Sequence, residues 1–321
     1  MAEAWDLCIE EDLSRMEEII ADAARSENPE LTEMCSYVLQ AQGKRLRPAV
    51  CLLSYLACGG EDMEKPVMIA AALEIIHNAT LVHDDINDEA ELRRGRKALY
   101  KEYALSKSIV TGDFLLAIGF RLVGKTSPEL AEYIVEAATS MGIGEFNQSD
   151  FEYDGEVSES DYMEIVNGKT ARLIESSAKC GAFLAGSDIA VIDSLGEFAL
   201  KIGIAFQIVD DVLDVIGDPG STGKPVGNDI LEGKPTLPII FAIQDEEHGD
   251  RIRELFEDRG LTQEEVEHTI GLMKQTDFLE RCMATAEDLV REGKRALEVL
   301  EDSRYKDSLY ALADFILERD R

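Results

Sequence analysis

The stretch EIIHNATLVHDDIND, residues 74–88, joins an apolar helical pattern to a cluster of three aspartates. Residues four apart lie on the same face of a helix, so Asp84 and Asp88 point the same way, with Asp85 beside them. Three carboxylates this close together repel one another unless a cation neutralises them. A single cluster of this kind is equally typical of a solvated helix end, so it predicts a helix and leaves its function open.

The stretch FQIVDDVLD, residues 206–214, repeats the aspartate spacing on a second apolar helix. Its Val209, Val212 and Leu213 are typical of a protein core, so the cluster does not belong to a polar surface run. Mg²⁺ usually binds through one or two carboxylates together with waters and substrate phosphates. Two such clusters facing each other are therefore predicted to hold two or three Mg²⁺ ions on a diphosphate.

Apolar residues recur at spacings of three and four through most of the chain, which predicts helices rather than strands. Glycines and prolines fall mainly between these runs, with a predicted loop from Asp218 to Pro235 and a break near Phe151–Glu159. We therefore predict an all-α bundle of about a dozen helices. Because no Pro- or Ser-rich linker interrupts the sequence, residues 1–321 are predicted to form a single domain.

The chain has 65 acidic and 32 basic residues, which give a formal charge of −33. Such a balance argues against nucleic acid as a partner, because phosphate contacts require clustered Lys and Arg, and it disfavours anionic membrane surfaces. No uninterrupted apolar run reaches the roughly 18 residues that span a membrane, so we do not expect an integral membrane protein. An acidic surface adapted to a salty cytoplasm is a further hypothesis.

The six cysteines include no CxxC pair, which argues against a zinc or redox motif. Several of them lie in apolar runs, so we expect buried thiols in a reducing compartment. The acidic N-terminus is not typical of a secretory signal. These features together predict a cytoplasmic protein.

Basic residues gather near the aspartate clusters in spite of the acidic whole. GKRLRP (43–48) begins a predicted helix, RRGR (93–96) follows the first cluster, and two GKP triplets (223–225 and 233–235) flank Asn228-Asp229 after the second. Arg binds phosphate oxygens bidentately and Lys adds a point charge. Each group alone is typical of an ordinary surface. Together, in so acidic a chain, they predict sites for two anionic groups.

With these motifs in place, the sequence resembles the trans-isoprenyl diphosphate synthase (polyprenyl synthetase) family, of the geranylgeranyl or longer-chain type. The resemblance is carried, in order and spacing, by GKRLRP (43–48), EIIHNATLVHDDINDEAELRRG (74–95), GD (112–113), GKT (168–170) and FQIVDDVLDVIGDPGSTGKPVGNDILEGKPTLP (206–238). It implies an all-α bundle of the isoprenoid synthase type around a central cavity, usually as a homodimer. The implied reaction is Mg²⁺-dependent head-to-tail condensation of an allylic diphosphate (dimethylallyl, geranyl or farnesyl) with isopentenyl diphosphate.

The resemblance also implies roles for particular residues. Those implied for isopentenyl diphosphate are Lys44, Arg47, His77 and Arg94. Those implied for the allylic diphosphate are Arg93, Lys169, Thr170, Gln207, Lys224 and Lys234. The main magnesium ligands implied are Asp84, Asp88 and Asp210, supported by Asp85, Asp211 and Asp214. The residues expected to act directly in catalysis are Asp84, Asp85, Asp88, Lys169, Asp210, Asp211 and Lys224.

Product length is expected to depend on the helix that carries Asp84. Thr80, Ile76 and Leu73 share its face, and at 1.5 Å rise per residue Thr80 lies about 6 Å and Ile76 about 12 Å below Asp84. In the family that the chain resembles, large aromatics just before the first aspartate close the pocket for C15 products. Ala79 and Thr80 are small, so we predict a C20 product or a longer one.

Three other functions fit parts of the pattern. A class I terpene cyclase also ionises prenyl diphosphates, but it usually carries a different second motif and has no use for GKRLRP. A non-catalytic partner subunit tends to lose one aspartate cluster, whereas both are complete here. A plain helical interaction protein has no need of so many phosphate-binding residue types.

Overall fold

The computed structural model describes residues 5–41, 43–217 and 226–318 and is 76% helical. The predicted all-α class is therefore confirmed. The helices of the first part of the chain are α1 (Glu10–Ala23), α2 (Pro29–Leu39), α3 (Leu46–Ala57), α4 (Glu64–Asn87), α5 (Leu99–Glu102), α6 (Leu105–Val123) and α7 (Pro128–Asp150). Those that follow are α8 (Glu159–Val166), α9 (Arg172–Leu184), α10 (Ile189–Ile216), α11 (Asn228–Leu231), α12 (Leu237–Ile243), α13 (Gly249–Phe256), α14 (Gln263–Met273), α15 (Phe278–Ala296) and α16 (Arg304–Glu318).

Short elements complete the fold. Two-residue strands, β1 (Leu92–Arg93) and β2 (Arg96–Lys97), form an antiparallel hairpin directly after α4. A π-helical turn at Asn167–Ala171 joins α8 to α9. Such turns are rare in proteins as a whole, but those that occur are frequently found at functional sites. Lys169 and Thr170 in this turn are therefore candidates for a functional site.

The chain forms two compact units. The first comprises Met1–Glu136, Leu173–Gly196 and Leu297–Ala311, and the second comprises Ala137–Arg172, Glu197–Ala296 and Leu312–Arg321. The single domain expected for residues 1–321 stays a prediction.

Helix α4 lies at the centre of the first unit, where it packs against α1, α3 and α6. Glycine allows α6 to approach α4 closely: a Cβ added at Gly119 would lie 2.5 Å from Ile76 Cγ1. Similarly, a Cβ at Gly112 would lie 2.3 Å from His83 Nε2. The two contacts run in opposite directions along the chain, so α4 and α6 are antiparallel and in tight register here.

Within the described ranges, α4 is also the one helix long and apolar enough to cross a membrane by length and composition. Its apolar window is 72% buried inside the structure. The search for an uninterrupted apolar run in the sequence did not predict this helix, because Glu74, His77 and Asn78 interrupt its apolar residues. Such burial is typical of a core helix, which agrees with the position of α4 at the centre of the first unit.

The core of the second unit is built around α12, every residue of which is buried, from Leu237 to Ile243. It packs against α13 and α15. The predicted break near Phe151–Glu159 is confirmed, because α7 ends at Asp150 and α8 begins at Glu159. Ser158 and Asp161 form a reciprocal capping box that fixes the start of α8.

The predicted loop from Asp218 to Pro235 is wrong in part. Residues 218–225 lie outside the described part of the chain, but Asn228–Leu231 forms the short helix α11. Gly227 precedes it with φ of 81°, a conformation that favours glycine. The Asp214 carboxylate accepts the backbone N–H groups of Asn228 (3.3 Å) and Asp229 (3.0 Å), and this contact begins the turn.

Four of the six cysteines are buried, as predicted from the sequence. Cys35, Cys51, Cys180 and Cys282 are buried, whereas Cys8 and Cys58 are only half-buried. Cys8 lies in the turn before α1, and Cys58 follows the last residue of α3. Both positions are at helix ends, where the chain leaves the core.

Candidate active site

The first aspartate cluster lies at the C-terminal end of α4, with Asp88 directly after the last helical residue. The last turn of α4 contains no basic residue. A helix carries partial negative charge at its C-terminus, so carboxylates are unfavourable there unless cations bind beside them. The sequence prediction of a helix ending in aspartates is confirmed, and its electrostatics favour a cation-binding site.

Asp85 differs from its neighbours because it is held inside the protein. Its side chain is buried, and its Oδ1 accepts a 2.6 Å hydrogen bond from Arg93 Nε in β1. The hairpin after α4 therefore folds back so that Arg93 neutralises the middle aspartate. Burial lowers the pKa of Arg93, but the carboxylates of Asp85, Asp84 and Asp88 outweigh burial and raise that pKa above its usual value.

The first unit also contains a cluster of cations around His77. Burial lowers the pKa of His77 well below its usual value, and the neighbouring Arg47, Arg94, Arg93 and Arg45 lower it further. His77 is therefore neutral near pH 7. Arg45 and Arg93 are paired with carboxylates, whereas Arg47 and Arg94 leave positive charge beside the imidazole, which favours an anionic ligand.

Two polar atoms of this cluster are buried without a hydrogen-bond partner, namely Arg47 Nε and His77 Nδ1. Burial lowers the pKa of Arg47 to about 10, opposed by Glu74 and reinforced by Arg94. Buried polar groups usually have partners, and an exception calls for an explanation. A ligand with phosphate oxygens supplies the acceptor that a guanidinium N–H requires.

The remaining basic residues of GKRLRP have different environments. Lys44 is exposed. Arg45 has φ of 48° and is paired with Glu17 at 2.7 Å and with the buried Glu74. Arg45 is thus engaged in holding α1, α3 and α4 together. Arg94 donates a 2.8 Å hydrogen bond to the carbonyl of Ala41, which fixes its guanidinium near the same loop.

The second aspartate cluster lies near the end of α10, in the second unit. Asp210 is exposed, while Asp211 is 5% exposed and accepts hydrogen bonds from Tyr162 (2.6 Å) and Gln207 (2.8 Å). Burial raises the pKa of Asp211 to about 7, although those two hydrogen bonds lower it. In both clusters, therefore, the second aspartate is held by the protein itself.

Lys169, Thr170 and Gln207 come together with Asp211 around one small cavity of about 120 Å³. Thr170 Oγ1 donates a 3.0 Å hydrogen bond to Gln207 Oε1. Lys169 Nζ lies 2.6 Å from Glu145 Oε2, and it also donates a 3.3 Å hydrogen bond to Gln148. The structure thus places three predicted allylic-diphosphate residues side by side.

Lys234 lines the same cavity and is paired with Glu232 at 2.7 Å. Lys224, the other lysine expected here, lies outside the described residues. Asp229 was not among the sequence candidates, yet it lies beside this group. Burial raises the pKa of Asp229 well above its usual value, and the nearby carboxylates of Asp214 and Asp211 raise it further. The element GNDILEGK (227–234) contains Asp229, but the sequence prediction gave roles only to Lys224 and Lys234.

The donor set fits magnesium better than it fits a metal that needs a cage of side chains. Within 5–41, 43–217 and 226–318, no three His, Cys, Asp or Glu side chains form a ready-made metal site. Mg²⁺ retains waters and relies on substrate phosphates for part of its coordination, so it does not require such a cage. Carboxylates beside lysines and arginines are the groups expected where a metal and a diphosphate bind together.

The residues expected to control product length lie in the first unit. Leu73, Ile76 and Ala79 have no exposed surface, and Thr80 is half-buried. Thr80 Oγ1 donates a 2.8 Å hydrogen bond to the carbonyl of His77, which turns its methyl group away from that carbonyl. Ile76 lies against Gly119 of α6, as described above. Leu73, Ile76 and Ala79 are thus fully buried, and Ile76 lies at the contact between α4 and α6.

Comparison with known proteins identifies the same family that the sequence motifs resemble. The family model "Polyprenyl synthetase" matches residues 28–273. An all-trans-nonaprenyl-diphosphate synthase of Rhodobacter capsulatus is 34% identical over 97% of this chain and 96% of its own length. A geranylgeranyl pyrophosphate synthase of Geoglobus acetivorans is 37% identical over 94% of this chain and 99% of its own length.

Solved structures agree with the sequence comparison. A polyprenyl synthase of Caulobacter crescentus CB15, crystallised with calcium and isoprenyl diphosphate, has a TM-score of 0.95 and 31% identity. The match covers 99% of this chain and 97% of that one. The chain belongs to the polyprenyl synthetase family, and its fold is that of the isoprenoid synthases. It is therefore a prenyltransferase of the trans-prenyl diphosphate synthase type.

Proposed function

We propose that the protein is a Mg²⁺-dependent trans-prenyltransferase that condenses an allylic diphosphate with isopentenyl diphosphate and releases diphosphate. Its primers are dimethylallyl, geranyl or farnesyl diphosphate, and its product is geranylgeranyl diphosphate (C20) or longer. The observation that carries this proposal is the pair of buried polar atoms without a hydrogen-bond partner, Arg47 Nε and His77 Nδ1, beside the cation Arg94. In a chain of charge −33, such a cluster has a clear use as an anion site beside the Asp84 cluster.

Isopentenyl diphosphate binds in this account to Lys44, Arg47, His77 and Arg94. Arg47 Nε supplies a buried donor for a phosphate oxygen. His77, neutral near pH 7, donates one ring N–H without adding charge to the cluster. The exposed Lys44 adds a positive charge for the diphosphate.

The allylic diphosphate binds to Arg93, Lys169, Thr170, Gln207, Lys224 and Lys234. Lys169 and Lys234 are paired with Glu145 and Glu232, and Arg93 is paired with Asp85. Binding a diphosphate therefore exchanges carboxylate partners for phosphate oxygens. The carboxylate pairs keep the lysines oriented before the substrate arrives, which limits the entropy lost on binding.

Asp84, Asp88 and Asp210 are the main magnesium ligands in this proposal. Asp85, Asp211 and Asp214 support them, either as ligands or by holding the residues around them. Two or three Mg²⁺ ions, when bound, neutralise charge that develops on the leaving diphosphate. The lysines and arginines share that role, because they bind the same oxygens more strongly as negative charge accumulates.

No side-chain nucleophile is required. As the allylic C–O bond ionises, the terminal alkene of isopentenyl diphosphate attacks the allylic carbon, and a proton is then lost to the departing diphosphate. Water would trap the allylic cation, so the pocket must exclude it. The apolar side chains of Leu73, Ile76 and Ala79 form the wall for the growing chain in this proposal.

Product length follows from the small side chains before Asp84. Ala79 and Thr80 leave room where an aromatic side chain would close the pocket, so the product extends beyond C15. Ile76 against Gly119 is the first large side chain below them and is the proposed floor for a C20 product. The relatives named above make products of different lengths, so the C20 assignment rests on these side chains.

The protein is further proposed to be a cytoplasmic homodimer with one synthetase domain over residues 1–321. Helix α6 supports the dimer, because Leu105, Ile109 and Val110 expose 50%, 41% and 57% of their surface. An exposed apolar patch of this kind is typical of an interaction site. Sedimentation equilibrium of the wild type tests the dimer, and a monomer at all concentrations would contradict it.

The function is tested by incubating the protein with Mg²⁺, labelled isopentenyl diphosphate and each primer in turn. Chromatography of the dephosphorylated products gives their length. We expect elongation of at least one primer to C20 or longer, and no elongation when EDTA removes Mg²⁺. Folded protein that elongates none of the three primers would refute the proposal.

A further inference from the structure

A chain of hydrogen bonds links three elements of the second unit at the cavity that Lys169 and Lys234 also line. Tyr162 in α8 donates a 2.6 Å bond from its hydroxyl to Asp211 Oδ2 in α10. Gln207, one turn earlier in α10, donates a 2.8 Å bond from Nε2 to Asp211 Oδ1. Thr170 in the π-helical turn donates a 3.0 Å bond to Gln207 Oε1. Tyr162 and Asp211 are buried, at 3% and 5% exposure.

These contacts determine which way the Gln207 amide faces. The Gln207 amide turns its nitrogen toward Asp211 Oδ1 and its oxygen toward the Thr170 hydroxyl. Tyr162 occupies the other carboxylate oxygen and thereby fixes the plane of Asp211. An amide nitrogen carries two N–H groups. Gln207 therefore has one N–H for Asp211 and a second one to offer to a phosphate oxygen.

The chain of bonds forms part of a binding surface rather than an isolated core contact. Tyr162, Thr170, Gln207 and Asp211 all line the cavity of about 120 Å³ that also contains Lys169, Asp229 and Lys234. A buried tyrosine–carboxylate pair far from any binding cavity would contribute to the stability of the fold only. At this place its loss would also release the side chains that border the lysines.

We propose that Tyr162 is a positioning residue for the allylic diphosphate: by holding Asp211, it fixes Gln207 and Thr170 in the orientation that binds phosphate. This inference rests on the proposed function of the site. It assigns Asp211 a role through Tyr162 and Gln207, and it adds to the predicted residues one that touches no substrate itself. Tyr162 lies 49 positions from Asp211, and its contribution is visible in the structure alone.

The test compares Tyr162→Phe with Tyr55→Phe in the holoenzyme. Tyr55 is a matched control because it is also buried, at 5% exposure, and its hydroxyl donates a 2.8 Å hydrogen bond to the carbonyl of Asp62 in the first unit. Each variant loses one hydroxyl and keeps its ring. Melting temperature reports the structural loss in both.

Two readouts separate positioning from stability. The first is calorimetric affinity for inorganic diphosphate in the presence of Mg²⁺. The second is the KM for the allylic substrate compared with the KM for isopentenyl diphosphate. For Tyr162→Phe we expect about a ten-fold loss of diphosphate affinity and a similar rise in the allylic KM. The KM for isopentenyl diphosphate should stay within about two-fold, and Tyr55→Phe should change neither readout.

A double-mutant cycle with Gln207→Ala completes the test. If Tyr162 acts through Gln207, its substitution adds little in the Gln207→Ala background. The inference is overturned if Tyr162→Phe lowers only the melting temperature, as Tyr55→Phe does, or if its effect on diphosphate affinity persists in full without Gln207. Failure of the proposed function would appear differently, as wild-type protein that elongates no primer. The diphosphate-binding comparison would then still decide the role of Tyr162.

Discussion

Arg93 in the hairpin after α4 is bound to Asp85, the middle aspartate of the first cluster, through a 2.6 Å hydrogen bond from Nε to Oδ1. Asp85 is 4% exposed, so Asp85→Asn leaves a largely buried guanidinium without its carboxylate. We expect this substitution to lower the free energy of unfolding by about 2–3 kcal/mol. Urea unfolding monitored by circular dichroism measures the change.

The matched control for this prediction is Asp288→Asn in α15. Asp288 pairs with Arg291, and both side chains are mostly exposed, at 62% and 59%. Exposed pairs contribute little, so the control should lose less than about 1 kcal/mol. Equal losses in the two variants would show that the Arg93–Asp85 pair has no special structural role.

The buried imidazole of His77 makes stability depend on pH. Its pKa is lowered in the folded state, mainly by burial, so below about pH 6.5 the unfolded chain binds a proton that the folded protein does not. Stability is thus retained above the unfolded-state pKa and is lost as the pH falls below it. We expect this residue to cost up to about 1.4 kcal/mol for each pH unit between roughly 6 and 5.

His77→Gln should remove this part of the pH dependence, as measured by chemical denaturation at several pH values. His268→Gln is the control, because His268 is exposed on α14 and the substitution changes one histidine in the same way. If the difference in stability between wild type and His77→Gln were the same at pH 5 and pH 7, His77 would not be neutral in the folded protein.

Asp210 and Asp214 are four residues apart on α10, so their like charges oppose the helix. In EDTA, Asp210→Asn should change the free energy of unfolding by less than about 0.5 kcal/mol, because Asp210 is exposed and the repulsion between residues four apart is small. With Mg²⁺, the same substitution should lower kcat/KM at least about 100-fold. Thermal melts and steady-state assays on one preparation measure the two effects.

Glu132→Gln on α7 provides the comparison, since Glu132 is exposed and has Glu136 four residues away. It should give a similarly small change in stability with unchanged activity. If Asp210→Asn left activity intact, Asp210 would not be a magnesium ligand.

Ala79→Phe tests the proposed chain-length pocket. Ala79 has no exposed surface, so the new ring must enter the space beside Thr80 and Ile76 at a cost of about 1–3 kcal/mol in stability. We expect a product shorter than that of the wild type, measured by chromatography. Thr80→Val, which keeps the size of the side chain, should leave product length unchanged. A wild-type product from folded Ala79→Phe would show that the pocket lies elsewhere.

Much of this molecule can be predicted from the periodicity of its sequence. The spacing of apolar residues predicts α4 and α10 and places an aspartate cluster near the C-terminal end of each, as the structure has it. Local patterns succeed here because residues four apart share a helix face regardless of the rest of the fold.

Contacts between distant residues could not be predicted in the same way. Asp214 begins α11 by accepting the N–H groups of Asn228 and Asp229, so a stretch that reads as a loop becomes helical. The Tyr162–Asp211 pair depends on how α8 packs against α10. Neither spacing nor composition contains that information, because it arises only when the chain is folded.

The central claim is tested most directly by the stoichiometry of diphosphate release. Folded protein is incubated with Mg²⁺ and farnesyl diphosphate, with and without isopentenyl diphosphate, and released diphosphate is compared with labelled isopentenyl units in the product. The account predicts release only when isopentenyl diphosphate is present, with one diphosphate for each unit incorporated. Release from farnesyl diphosphate alone, as a terpene cyclase would give, or no release under either condition would contradict it.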